Sequence, residues 1–217
     1  MNKEREWHGY YQPYLSQARR RGVDPMALLD EQWADGRKTA LRVLPHLSES
    51  SVVLEIACGI GRVSRHVAAH CHRLHCADIL DEALSEARTQ LRGFDNVVFD
   101  KINGYDLRSY GAGSMDCVYS FTTFFHFDFE LVVHYFSEIA RVLKAGGTAI
   151  VEFKQWRGAK DVMQLLKKIE EQGGIEAYEH KRDKWRYVSS EMLAVLCEFH
   201  GLQILDPEVT HFTFGKP

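Results

Sequence analysis

The run Val52-Val53-Leu54-Glu55-Ile56, followed by Ala57-Cys58-Gly59-Ile60-Gly61, constrains this chain more than any other stretch. Its first five residues are apolar except for Glu55, the pattern of a strand covered on both faces. Gly59 and Gly61 then allow a tight turn and a close approach of backbone to a ligand. Seventeen residues beyond Gly61, Asp78 ends a second run, Leu74 to Ala77. An acid at that point can accept hydrogen bonds from both hydroxyls of a ribose. The competing role, a cap for the next helix, is the weaker reading because Asp78 ends a strand pattern. Glycine loop and acid together predict a nucleoside-containing cofactor.

Around that loop the chain alternates strand and helix, which predicts a doubly wound, mostly parallel α/β sheet with helices on both faces. Strands are expected at Val52–Ile56, Leu74–Asp78, Val97–Ile102, Met115–Phe121 and Thr148–Phe153. Helices are expected at Gly61–His70, Asp81–Leu91 and Glu130–Leu143. Lys144-Ala145-Gly146-Gly147 reads as the end of the last helix, with glycine in the position after it. Leu202–Leu205 and Val209–Phe214, separated by Asp206-Pro207, predict a C-terminal antiparallel hairpin.

Two segments lie outside this rhythm within what reads as a single domain over residues 1–217. Residues 1–47 form an amphipathic helical cap. Asp24-Pro25 starts one helix, Arg37 to Leu47 forms another, and Trp7, Tyr10, Tyr11 and Tyr14 make an aromatic cluster before them. Residues 155–187 are an insertion and a candidate lid. In it Val162, Leu165, Leu166 and Ile169 recur at helical spacing until Gly173-Gly174.

Composition excludes several classes. Net charge is −3, which argues against a general nucleic-acid binder. No apolar run reaches the ~18 residues of a membrane span. The charged start Met1-Asn2-Lys3-Glu4-Arg5-Glu6 is unlike a signal peptide. Five cysteines, an odd number set mostly in apolar patterns, suggest reduced thiols and a cytoplasmic location.

These motifs together resemble the class I S-adenosylmethionine-dependent methyltransferases over roughly residues 40 to 214. The resemblance implies a Rossmann-like seven-stranded sheet and S-adenosylmethionine as cofactor. It implies that Glu55 anchors the glycine loop or the cofactor's amino-acid moiety, and that Ala57, Cys58, Gly59 and Gly61 pass under that moiety. The family usually has glycine where Ala57 stands, so the backbone there is expected not to be strongly left-handed. By the same likeness Asp78 binds the ribose and Ile79 covers the adenine. The carbonyl of Asn103 meets the adenine amino group, with Gly104 and Tyr105 in the same loop. Ser120 and Phe121 lie at the cofactor end of the fourth strand. Ala140 to Gly147 matches the turn before the fifth strand.

A nicotinamide cofactor is disfavoured because Ser64 stands where its fingerprint needs a third glycine. The cluster His66, His70, Cys71, His72, His75 and Cys76 is read as packing, with no metal site expected. His126, after the fourth strand, is the candidate general base. The run Lys181 to Arg186 is read as a solvated face, or alternatively as a site for a substrate carboxylate or phosphate. The leading function is methyl transfer to a small-molecule acceptor, with no nucleic-acid or membrane partner. The alternatives are a non-catalytic S-adenosylmethionine- or nucleoside-binding protein, and a methyltransferase acting on nucleic acid or protein. No Asn/Asp-Pro-Pro-aromatic tetrapeptide follows the fourth strand; Ser120-Phe121-Thr122-Thr123 stands there.

Overall fold

The computed structural model describes residues 3–206 and 211–217. The turn expected at Asp206-Pro207 and the first residues of the last predicted strand therefore fall largely outside the described residues. Among those residues, seven strands form one sheet. They are β1 (Val52–Ile56), β2 (Arg73–Asp78), β3 (Val97–Lys101), β4 (Met115–Ser120), β5 (Leu143–Glu152), β8 (Gln203–Asp206) and β9 (His211–Gly215), in the order β3-β2-β1-β4-β5-β9-β8. The first five run parallel, and β9 pairs antiparallel with both β5 and β8. Chain order reverses between β1 and β4, and ligands of open α/β sheets sit at the carboxyl ends of strands beside such a point.

Alternation along the central strands divides the core between the two faces. Val118 of β4 joins Leu54, Ile56 and Val151 on one side, whereas Cys117 and Tyr119 join Val53, Cys76 and Ile150 on the other. The first face is covered by α7 (Phe129–Val142), which buries Val132, Tyr135, Phe136, Ile139 and Val142. That spacing is one helical stripe, and burying each such side chain is worth about 1.5–3 kcal/mol. The second face packs against α5 (Ser64–Val67) and α6 (Asp81–Gln90).

The cap consists of α1 (Lys3–Trp7), α2 (Gln12–Arg21), α3 (Pro25–Gln32) and α4 (Gly36–Ala40). Asp24 caps α3 through the Met26 amide, and Asp35 caps α4 through the Arg37 and Lys38 amides. Leu15, Met26 and Leu29 bury themselves against Ile60 of the glycine loop, which fixes the cap on the site. The inserted segment contains α8 (Ala159–Glu171) and α9 (Ile175–Glu179). Its base is clasped by two short parallel strands, β6 (Lys154–Gln155) and β7 (Tyr187–Val188). Helix α10 (Ser190–Phe199), capped by Ser189, leads to β8.

Three local expectations are corrected. The helix expected over Arg37 to Leu47 stops at Ala40 and gives way to a 3₁₀ turn at Leu44–His46. Pro45 lacks the amide that would continue the ladder, and its ring crowds the carbonyl four residues back. The helix expected from Gly61 begins at Ser64 because Gly61 has φ +90°. Glycine does not cap the end of α7: Leu143 turns extended there, and Gly146 (φ +74°) sits in a bulge between the Met115–Leu143 and Cys117–Thr148 pairs.

Candidate active site

The glycine loop is tied to the end of β2. The Cys58 amide donates to the Ala77 carbonyl at 3.0 Å, and the Gly59 amide donates to Asp78 Oδ2 at 2.8 Å. Asp78 Oδ1 accepts from the Leu80 amide at 2.9 Å. One buried carboxylate thus braces the loop and starts the turn into α6. Burial pushes its carboxyl up to about 6, against the downward pull of these amide donors.

The loop overturns the expectation for Ala57, whose φ is +59°. The chain must curl left-handed there whichever residue stands in it, and alanine carries strain of about 1–2 kcal/mol in that region. Ala57→Gly is expected to raise stability by up to about 1 kcal/mol, relief of strain being offset in part by glycine's greater unfolded-state entropy. The midpoint of urea unfolding checks this; a lower midpoint contradicts it.

Each remaining predicted residue has a definite place. Glu55 is buried and accepts from the Ser64 hydroxyl and, at 2.9 Å, from Tyr119 Oη. Burial pushes its carboxyl up to about 7. It anchors the loop to the start of α5. The Cys58 side chain is in the core. A Cβ on Gly61 would come within 2.8 Å of Leu91 Cδ1, so this glycine serves close packing. Asn103 Oδ1 accepts from the Tyr105 and Asp106 amides, which commits the expected adenine contact to a turn. Tyr105 is partly exposed. Ser120 Oγ donates to the Ile56 carbonyl, tying β4 to β1, and Phe121 is in the core.

Ala57, Asp78, Ile79, Gly104 and His126 line one cavity of about 420 Å³. That volume lies in the ~300–1,000 Å³ range of small-ligand sites. The cap supplies Trp7, Tyr10, Tyr11 and Tyr14 to its wall, and the inserted segment supplies Lys168, Asp183 and Trp185. Tyr11 lies over Gly59, where a Cβ would stand 2.3 Å from its hydroxyl oxygen. Cap and insertion meet at Arg182, which donates to the Glu6 and His8 carbonyls and sits 5.4 Å from the Tyr10 ring.

His126 is half-buried between Trp7 and Phe125. Burial pushes its imidazole down to about 4, so it is neutral at physiological pH. The Lys184 carbonyl, 3.1 Å from Nδ1, can only accept, which assigns the proton to Nδ1 and leaves the lone pair on Nε2.

Sequence reasoning missed Glu152, Thr122 and Lys154. Glu152 ends β5 on the cavity wall and accepts from the Thr122 amide at 2.6 Å, and burial raises its carboxyl. Thr122 has φ +56°, an unusual conformation for a β-branched residue. An acid ending a buried parallel strand is the signal that singled out Asp78, and it was available for Glu152 too. The His/Cys cluster is dispersed: His75 pairs with Asp100, and Cys71 and Cys76 pack in the core. Among the described residues no three His, Cys, Asp or Glu side chains gather as metal ligands, and no helix is long and apolar enough to cross a membrane.

A switch-point cavity with a glycine loop and an acid ending β2 defines a nucleoside-cofactor site in a Rossmann-like fold. Residues 53–147 match the family model of a methyltransferase domain. Over that segment the chain is similar to methyltransferase domains, which points to S-adenosylmethionine as the methyl donor. The fold is similar to magnesium protoporphyrin IX methyltransferase of Synechocystis PCC 6803, solved with bound S-adenosylhomocysteine (TM-score 0.67, 14% identity, 87% of each chain covered). It is also similar to a SAM-dependent methyltransferase of Methanosarcina mazei (TM-score 0.62, 17% identity, 81% of this chain and 96% of that one). The [4+2]-cyclase SpnF shares it as well (TM-score 0.61, 20% identity, 78% of this chain and 58% of that one). No curated protein matches the sequence at a significant level.

The cavity fits the cofactor. Asp78 offers a carboxylate at the end of β2, with apolar Ile79 and Ile102 beside it. Gly104 presents bare backbone to the same cavity.

Proposed function

We propose that this chain transfers a methyl group from S-adenosylmethionine to a small-molecule acceptor held in the cavity between cap and insertion. The observation that carries this reading is the wall itself. Aromatic side chains of the cap and Trp185 of the insertion close over the carboxyl ends of the strands, a shape suited to a small acceptor. In this reading Asp78 takes the ribose hydroxyls, Ile79 flanks the adenine, and Ala57 and Gly104 let the cofactor approach the backbone. The cap and residues 155–187 form a lid joined at Arg182. Buried free thiols at all five cysteines support a reducing compartment such as the cytoplasm.

Bound there, S-adenosylmethionine supplies an electrophilic methyl group. The protein's share is orientation, exclusion of water and proton management. In this reading Trp7, Tyr10 and Tyr11, which line the cavity, shed water from it when cofactor and acceptor are bound. His126 Nε2 is free to take a proton from a hydroxyl or amine acceptor, while Nδ1 holds the ring on the Lys184 carbonyl. His126→Ala is expected to lower kcat by about 100-fold, the lower end for general-base removal, with cofactor affinity unchanged. Steady-state kinetics with a titrated cofactor checks this; an unaltered kcat removes His126 from proton transfer.

The test of the function is calorimetric titration with S-adenosylmethionine and with S-adenosylhomocysteine, followed by assay of demethylated cofactor against an acceptor panel. Saturable binding and acceptor-dependent turnover support it, and absence of binding by either ligand overturns it. A second reading, cofactor binding without methyl transfer, is favoured by the likeness to SpnF, a cyclase. Binding without turnover across the panel would point to that reading.

A further inference from the structure

The basic run of the insertion is engaged within the protein. Lys184 pairs with Glu179 at 2.7 Å, Arg186 pairs with Asp128 at 2.8 Å and donates to the His126 carbonyl, and Arg182 holds the cap. Two other cations of the cavity are not so engaged. Lys154 Nζ, from β6, lies 4.4 Å from the centre of the Trp185 ring, and Lys168 Nζ, from α8, lies 5.2 Å from it. Both line the cavity. Among the described residues neither ammonium is in an ion pair with a carboxylate.

Two like charges drawn from separate elements to one ring repel each other, and partial burial strengthens the repulsion. The ring face attracts each of them but leaves their N–H donors without an acceptor. Glu152 and Asp183 face the same space. Among the described residues neither carboxylate comes within ion-pair distance of Lys154 or Lys168, so the N–H donors of both ammoniums stay open. A bound anion would satisfy both ammoniums at once. The site is also set apart from Asp78: β5 lies three strand intervals from β2, about 14 Å across the sheet.

Resting on the methyltransferase reading above, we infer that the acceptor carries an anionic acid group, a carboxylate or a phosphate, held by Lys154 and Lys168 beside Trp185. This assigns the acceptor's anchor to the base of the insertion and makes these lysines determinants of specificity. The neutral His126 ring lines the same cavity, so the anchored acceptor can present its nucleophile to Nε2.

Benzoate, phenyl phosphate, benzamide and benzylamine serve as probes for calorimetry on the full chain, each with and without saturating S-adenosylhomocysteine. One or both acids are expected to bind about tenfold or more tightly than benzamide, as for hydrogen bonds to a charged group. That preference should vanish in the Lys154→Gln/Lys168→Gln double variant, with S-adenosylhomocysteine affinity held within about twofold because the cofactor's ribose lies elsewhere. The ratio of benzoate to phenyl phosphate affinity identifies the acid group. Equal or tighter binding of benzamide or benzylamine, failure of both acids to bind, or a preference surviving in the double variant overturns the inference. Failure of S-adenosylhomocysteine to bind the unsubstituted protein strikes the methyltransferase reading alone, since the probes are also compared without it.

Discussion

Asp78→Ala is expected to weaken S-adenosylhomocysteine binding by about 1.5–3 kcal/mol, the range for hydrogen bonds to a charged group, and to destabilise the free protein as well. Both effects follow from one side chain. Asp78 lines the cavity, while Oδ2 and Oδ1 already hold the Gly59 and Leu80 amides. Removing the carboxylate orphans two amides near the glycine loop, at about 1–3 kcal/mol for each that stays buried.

The pH dependence separates the two roles. Burial raises the Asp78 carboxyl to about 6. Affinity for the cofactor, which needs the ionised acceptor, is expected to fall as pH drops through 6. Stability runs the other way. For an acid whose folded pKa is raised, the contribution is complete below the unfolded value near 4 and is lost as pH rises through 6. Relative to Asp78→Asn, the free protein should therefore become less stable between pH 4 and 6 while cofactor affinity improves. Calorimetry and urea unfolding at pH 5 and 7.5 make the comparison. Parallel trends, or an affinity unaltered in a folded Asp78→Ala protein, would remove Asp78 from the cofactor site.

The two carboxylates of the cofactor end show what sequence reveals and what it hides. Asp78 was legible because a strand covered on both faces leaves few reasons for an acid at its end. Ile79 and Gly104 came from the resemblance to the methyltransferase motifs, and both line the cavity. At Ala57 residue type is a poor guide to the backbone. The loop's path is set by its closure onto β2 through the Cys58 and Gly59 amides, and alanine bears the strain. Asn103 has the acceptor the adenine contact needs, yet a local turn claims that oxygen first. Which acceptor is already used is a tertiary fact.

The insertion hid more. Its helical stripe was readable, but the β6–β7 clasp is two residues long on each side and carries no periodicity. Lys154 sits in that clasp and Lys168 on a helix that buries no residue completely. Their convergence on Trp185 depends on how the segment folds back, which pattern alone does not encode. The run Lys181 to Arg186 was conspicuous for its charge, yet Arg182, Lys184 and Arg186 hold the insertion together and to its neighbours.

A comparable loss of stability is expected at Glu55. Glu55→Ala leaves the Ser64 and Tyr119 hydroxyls without their shared acceptor inside the core, at about 1–3 kcal/mol each or about 2–6 kcal/mol together. Glu55→Gln keeps an acceptor oxygen and the shape, so its effect turns on charge. Burial is the largest cause raising this carboxyl from 4.5 to about 7. That shift corresponds to about 3 kcal/mol of stability that is complete below the unfolded pKa and lost as pH rises through 7. At pH 5 the unsubstituted protein should match or exceed Glu55→Gln, and at pH 8 Glu55→Gln should be the more stable of the two. Urea unfolding from pH 5 to 8 measures the crossing, and a pH-independent difference would show that folding does not raise this carboxyl. Because Glu55 fixes Ser64 at the start of α5, Glu55→Ala should also loosen the glycine loop and weaken cofactor binding. Glu55→Gln should restore most of that affinity if the contribution is positional. Affinity lost equally in both variants would instead place the carboxylate's charge against the cofactor itself.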